Sequence, residues 1–518
     1  MIKHDVTIFW RALCASLALS LGWFSYGAET DTDLSAKIDN YLQDCVSNGF
    51  VGSVLVARNG DVILSKGYGL ADKKNGIRAT SSTVFNIGSI TKQFTAAAIL
   101  KLVEQGKLHI SDPISKYLKN VPPDKKDITV HQLLTHTAGI SPYTGGFRYD
   151  YASRERFLTE FFEAELTEKP GTVHIYANVG YIVLAALIET ISKQSYEEFL
   201  REQIFIPAGM INTGYKIPEW KDSQLAHSYF FSLADTEWLD WGTTPERWAN
   251  SDVSWYGIGK GDILSTVEDL YKWHLALQSN IVLSAETREI FETPYVAENR
   301  QETSYYAYGW AIFKSARNTK IVSHDGSNGL YFGDFLRFVD DDVVVIYLSS
   351  VAPNSYRTSA AIRSIESGNN IEGGAKEIAK LIFYPSYQPE VLPRPNSYEL
   401  VLNFVASNSP SELGKLNEFM KEKQGSPIQD GSLLNRIGLH FMRNEELNWA
   451  IAILTTNIQL FPNDGNLWDT LGEAYMHSGN AELAIKSFEK ALAVAPATDC
   501  YWCENSEKML TELGTSAL

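Results

Sequence analysis

The stretch FNIGSITKQFTAAAILKLVEQGKL, residues 85–108, reads as a helix apolar on nearly every side, with Phe94, Ala96, Ala97, Ala98, Ile99, Leu100, Leu102 and Val103. A helix of that kind is buried, so the chain has to build layers around it. Its first turn nevertheless carries Ser89 and Lys92. Positions i and i+3 share a helix face, so the hydroxyl and the amine can meet. A serine is a poor nucleophile until a base takes its proton. A lysine becomes such a base when burial disfavours its charged form. The helix N-terminus pushes the same way and also favours a nearby oxyanion. The pair therefore suits nucleophilic catalysis. The bare tetrapeptide is not specific, because Ser487-Phe488-Glu489-Lys490 repeats it later in the chain.

The surrounding segments predict an α+β domain. Residues 50–69 read as a hairpin around Asn59-Gly60, a strong turn signal between apolar runs. Helices and loops follow to about residue 277. Strand character returns from Tyr305 onward, with Asp340-Asp341-Asp342 as a turn in the last hairpin. Strands at both ends and helices between predict one antiparallel sheet closed by the two ends of the domain. A chain of 518 residues needs at least two domains. The proline-rich stretch with Pro385, Pro389, Pro393 and Pro395 marks the joint. The expected division is a catalytic domain over residues 30–384, a linker over 385–396 and a second domain over 397–518. The net charge of −17 argues against a nucleic-acid partner.

The second domain contains a repeat. Trp468, Leu471, Gly472, Tyr475, Ala484, Phe488, Ala491 and Pro496 follow one pattern. Stepping back 34 residues gives Leu434, Ile437, Gly438, Phe441, Ala450, Leu454, Asn457 and Pro462, of which Asn457 fits worst. The pattern resembles the tetratricopeptide repeat, two antiparallel helices per unit with small residues at the close contacts. Repeats are expected at about 431–464 and 465–498, with a degenerate helical pair over 398–423 and a capping helix over 504–513. The resemblance implies an all-α domain that recruits a protein partner; packing against the larger domain is the other reading.

The N-terminus reads as a secretory signal over residues 1–27. Lys3, His4 and Arg11 precede an apolar stretch over 12–24, and Ser25 and Gly27 suit a cleavage site. The stretch is well short of the roughly 20 residues that span a bilayer; an uncleaved anchor is the alternative. A periplasmic or secreted protein is expected, with no other membrane span. Cys14 lies within the signal and does not suit a lipoprotein cleavage site. Cys45, Cys500 and Cys503 then remain. The lone C-x-x-C lacks a second ligand pair for zinc and a strand-to-helix setting for redox work, which leaves a local disulfide or two inert thiols.

Two further elements support the first Ser-Lys pair. Tyr176-Ala177-Asn178 lies between a loop and a long apolar helix, and His324-Asp325-Gly326 ends the strand KIVS. Tyr176 can relay a proton to a leaving group. The amide of Asn178 can hold Lys92 and a substrate carbonyl. Gly326 lets substrate lie along the strand, where the N–H of Ser327 can join that of Ser89 as an oxyanion hole. Ser-x-x-Lys, Tyr-x-Asn and His-x-Gly in that order resemble the penicillin-recognising serine hydrolases, in particular the class C β-lactamase group and its esterase and D-amino-acid peptidase relatives. LHISDPISKYLKNVP, ITVHQLLTHTAGI and STVEDLYKW are similar to that family's segments, and the likeness covers about residues 35–385.

The resemblance implies a β-lactamase/transpeptidase fold, Ser89 as nucleophile, Lys92 as base, Tyr176 as proton relay, and Asn178, His324, Gly326 and Ser327 as substrate-binding positions. It implies no metal and no cofactor. The family commonly has lysine where His324 stands, and a neutral imidazole attracts a substrate carboxylate less. The expected activity is therefore that of an esterase or D-amino-acid peptidase on a small-molecule or peptide substrate, with weak β-lactam turnover. The alternative is a catalytically silent binding module. His131 and His136 are expected to be scaffold. Residues 215–256, rich in tryptophan, are expected to form either an aromatic wall for an acyl group or an insertion packed on itself. YGIGKGDILS, residues 256–265, is expected to be flexible backbone near the site.

Overall fold

The computed structural model describes residues 30–142, 150–248, 252–351, 374–392, 396–496 and 500–514. The signal over 1–27, Pro393 and Pro395 lie outside them. Helix α1 (Asp31–Ser47) opens the fold on a capping box between Thr30 and Asp33. Strands β1 (Gly52–Arg58) and β2 (Asp61–Tyr68) form the first hairpin. Asn59 and Gly60 both take positive φ, 55° and 81°, as the tight hairpin turn requires. Six more strands follow late in the chain: β3 (Val296–Ala297), β4 (Ser304–Tyr306), β5 (Ala311–Lys314), β6 (Lys320–Ser327), β7 (Phe332–Phe338) and β8 (Val343–Ser349). They join into one antiparallel sheet in the order β2-β1-β8-β7-β6-β5-β4-β3. Gly52 stands opposite Ser349 and Arg58 opposite Val343, so the first and last strands of the domain close the sheet.

Strand β8 explains why its sequence shows no alternation. Every residue of VVVIYLS is buried. Val344, Ile346 and Leu348 face one core, and Val343, Val345 and Tyr347 face the other. A strand covered on both faces reads as a continuous apolar run. The second core is roofed by α1 and by a helix near the domain's C-terminal end. The first core holds α2 (Thr91–Glu104), α3 (Val130–Leu134) and α4 (Asn178–Ser192). Helix α2 is wrapped on all sides; Phe94 alone meets Phe205 and Trp273, each at 5.2 Å between ring centroids.

The roof helix, α5 (Gly374–Phe383), anchors the start of the proline-rich joint. Glu377 accepts from the Tyr387 hydroxyl at 2.6 Å and from the Glu390 N–H at 2.7 Å. Lys37 donates to the Pro385 carbonyl at 2.8 Å. The chain as far as Val391 is therefore held on the catalytic domain's surface.

Beyond it, helices Ser397–Ser407 and Leu416–Gln424 precede α6 (Ser432–Arg443), α7 (Leu447–Leu460), α8 (Gly465–His477) and α9 (Ala481–Ala493). Gly438 and Gly472 sit against Leu454 and Phe488, where an added Cβ would come within 2.6 Å of each side chain. Asn457, the worst-fitting repeat position, is fully buried and donates to the Gly431 carbonyl at 2.8 Å. It ties the second helix of one unit to the entry of that unit's first helix. Cys500 and Cys503 are bridged at the start of the last helix, Cys503–Glu512.

The tryptophan-rich region is neither purely a wall nor a self-packed insertion. Trp220 and Trp248 pack on Val84, Leu225 and Leu264. Between them a two-stranded hairpin, Ser228–Ser232 and Glu237–Gly242, projects outward. At its base, Ala226 and Gly242 accept from the Tyr331 hydroxyl at 2.7 and 3.2 Å. At its tip, Leu233 packs on the core of the repeat domain, and Trp238 donates to Glu399 at 3.2 Å. The hairpin bridges the two domains.

Candidate active site

Ser89 lies in a single tight turn, Gly88–Ile90, that leads directly into α2. The turn is fixed from behind: the Gly88 N–H donates to Asn86 Oδ1 at 2.9 Å, and Asn86 donates to Asp262 at 3.1 Å. Lys92 follows one turn later and is fully buried. Its Nζ lies 2.9 Å from Ser89 Oγ. It donates to Asn178 Oδ1 at 2.9 Å and to the Lys260 carbonyl at 2.8 Å. Those two oxygens can only accept, so each takes an N–H. With two N–H groups so engaged, the amine turns its remaining hydrogen-bonding direction to the Ser89 hydroxyl, which is where a base has to face it.

Tyr176 completes the group. Its ring centre lies 4.9 Å from Lys92 Nζ, and the Ser89 hydroxyl is near enough to act on its phenol. Burial pushes the phenol well above its ordinary value, and the Ser89 hydroxyl opposes that shift. The phenol therefore holds its proton at neutral pH and can give it up to a stronger base formed beside it.

Strand β6 brings the third motif to the same turn. A Cβ on Gly326 would collide with the Ile87 carbonyl and lie 2.6 Å from the Ser89 nitrogen. A Cβ on Gly88, whose φ is +52°, would lie 2.7 Å from the Ser327 nitrogen. Two glycines thus let two backbone segments touch and bring the N–H groups of Ser89 and Ser327 together, as an oxyanion hole needs.

His324 is placed differently from a substrate ligand. It is 6% exposed. Its Nδ1 faces the Asp325 carbonyl, so that nitrogen carries the proton and Nε2 accepts from the Tyr306 hydroxyl at 3.1 Å. Burial lowers its pKa to about 4, Asp325 opposes the shift, and Lys92 adds to it. At neutral pH the ring is uncharged, and both nitrogens are committed within the protein.

Several participants carried no sequence signal. The Lys260 carbonyl is a backbone atom, indifferent to the residue that supplies it. Its loop is not flexible backbone as expected: the Gly259 carbonyl accepts from Thr95 at 2.5 Å, and the Tyr215 hydroxyl donates to the Gly261 carbonyl at 2.8 Å. Gly259 at φ +76° leaves room for the Tyr181 carbonyl. Tyr306 is buried among the rings of Tyr176, His136 and His324. Glu298 accepts from Ser304, and burial with help from Asp325 raises its pKa to about 7. His131 bonds Tyr308 at 2.7 Å, away from this group. Among the described residues no cluster of His, Cys, Asp or Glu has the arrangement of a metal site, and no helix is long and apolar enough to cross a membrane.

An eight-stranded sheet with a buried Ser-x-x-Lys helix against it is the architecture of the β-lactamase and transpeptidase hydrolases. The match to the Beta-lactamase family extends over residues 35–368, and the chain belongs to that family. A Tetratricopeptide repeat match covers residues 465–498. Penicillin-binding protein 4* of Bacillus subtilis (strain 168) is 28% identical over 330 residues, which are 61% of this chain and 72% of that protein. The putative penicillin-binding protein PbpX of the same strain is 35% identical over 262 residues, 51% of this chain and 63% of its own. Among solved structures, the octameric penicillin-binding protein homologue from Pyrococcus abyssi aligns with a TM-score of 0.56 at 25% identity, covering 67% of this chain and 77% of that one. D-amino acid amidase from Ochrobactrum anthropi SV3 shares the fold, with a TM-score of 0.56 at 21% identity over 68% of this chain and 98% of its own.

Proposed function

We propose that this protein is a serine hydrolase that works through an acyl-enzyme on an ester or amide, of the esterase or D-amino-acid peptidase kind. The observation that carries the reading is Lys92 Nζ at 2.9 Å from Ser89 Oγ, with its N–H groups engaged by Asn178 and Lys260. Ser89 Oγ attacks the carbonyl carbon as its proton passes to Lys92. The N–H groups of Ser89 and Ser327 hold the oxyanion. Tyr176 gives its proton to the leaving group and is restored by the proton that Lys92 took from Ser89. Water then attacks the acyl-enzyme by the reverse path, and Ser89 is released. Neutral His324 offers no charge to a substrate carboxylate, which favours uncharged esters and amides over β-lactams. Weak β-lactam turnover is retained as a side activity.

The reading places the protein in the periplasm or outside the cell, with the repeats holding a protein partner. Its test is a fluorophosphonate label followed by a panel of short-chain esters, D-amino-acid amides and a cephalosporin. Labelling of Ser89 with ester or amide turnover well above cephalosporin turnover supports it. An unlabelled protein with no turnover is what the silent binding module would give.

A further inference from the structure

We propose that His136 is the positioning residue of the Tyr176 proton relay; the inference rests on the acyl-transfer reading above. Residues 173–177 have no regular secondary structure, so nothing periodic holds Tyr176 in place. His136 does so from both sides. Its carbonyl accepts from the Ile175 N–H at 2.9 Å, and its Nδ1 accepts from the Ala177 N–H at 3.1 Å. In an extended segment, N–H groups two residues apart point the same way. One residue thus supplies both rungs that a neighbouring strand would supply, the second with its side chain.

His136 meets this with a left-handed backbone, φ 58°, which histidine, like asparagine and aspartate, adopts more readily than most residues. That twist turns the imidazole back toward the chain. The ring then lies 4.3 Å from the Tyr176 ring, 4.7 Å from Tyr306 and 5.0 Å from Tyr181, centre to centre. His136 therefore sets where the Tyr176 backbone runs and which way its ring faces.

The tether also fixes a tautomer. Nδ1 accepts a hydrogen bond, so it carries no proton. His136 is 2% exposed. Burial, with His174, Lys92 and His324 nearby, holds it well below its ordinary value. Other charged groups that face this pocket are Glu298 and Asp325, both of which act on Tyr176. The bond to Ala177 consequently persists through the acid range in which a free imidazole would lose it.

Displacing Tyr176 should matter most where the leaving group needs a proton. The experiment compares kcat/KM, which reads acylation, on ethyl butyrate and p-nitrophenyl butyrate. The acyl group is the same; ethoxide requires protonation and p-nitrophenolate does not. His136→Phe keeps a ring and loses the acceptor. His136→Asn keeps an acceptor close to the Nδ1 position and tolerates the left-handed backbone. His136→Phe is expected to slow the ethyl ester by about 10²-fold and the nitrophenyl ester by no more than about threefold, with His136→Asn recovering most of the ethyl ester rate. Equal losses on both esters, or no loss on either, overturn the proposal. A wild-type protein that neither takes a fluorophosphonate label nor cleaves either ester overturns the acyl-transfer reading itself, and this inference falls with it.

Discussion

Ser89 and Lys92 share their spacing with Ser487 and Lys490, yet only one pair is surrounded. Lys92 is fully buried, with acceptors from another helix and from a loop. Lys490 stands exposed on α9, and the Ser487 hydroxyl donates to the Leu483 carbonyl of its own helix at 2.9 Å. One hydroxyl faces a buried amine; the other satisfies its own backbone. What separates the two pairs is the enclosure, not the tetrapeptide.

The contrast can be broken most severely at the serines. Ser89→Ala is expected to lower ester turnover by about 10⁴-fold and abolish fluorophosphonate labelling, whereas Ser487→Ala leaves both unchanged; a label that survives in Ser89→Ala would overthrow the assignment. Next come the amines. Arginine stays charged and cannot act as a base, so Lys92→Arg should cost about 10³-fold in kcat while Lys490→Arg costs nothing, as steady-state kinetics on one ester will read.

A third comparison sets two glycines against each other. Gly326→Ala drives a methyl group into backbone that cannot yield, so turnover should fall about 10²-fold. Gly472→Ala meets the Phe488 ring instead; it should cost about 1–3 kcal/mol of repeat stability, read by thermal denaturation, and spare the catalysis.

The smallest effect concerns pH. Glu298 has a folded-state pKa of about 7 against an ordinary 4.5. Between those values the folded chain holds a proton that the unfolded chain has lost, so stability falls as pH rises through the window. Glu298→Gln should remove that slope and raise the catalytic domain's melting temperature at pH 8 by about 2–4 °C. Glu482, exposed on α9 and held below its ordinary value by Lys486, should give no such change when replaced by glutamine.

Much of this was legible beforehand, for identifiable reasons. In the proposed site Ser89, Lys92, Tyr176, Asn178 and Gly326 would act through the chemistry or the size of their own side chains, which a sequence displays. Trp468 and Gly472 were legible because a repeat shows the same contact twice. Lys260 was not, since it contributes a carbonyl that any residue has. His136 reads as scaffold, and its tethers agree, but which segment it holds is not legible, because its two bonds go to backbone 39 and 41 residues away in the chain, a distance no local pattern reports. His324 was expected to meet substrate, and Tyr306, 18 residues earlier, occupies its Nε2 instead.

The hairpin at 228–242 gives the repeat domain a grip on its neighbour besides the covalent chain. A body hung from one point swivels; a body hung from two can turn only about the line between them. Its tip sits on the helices and its base on Tyr331, four residues past Ser327. A pull on the repeats is therefore delivered, as by a lever, to the turn that follows Ser327.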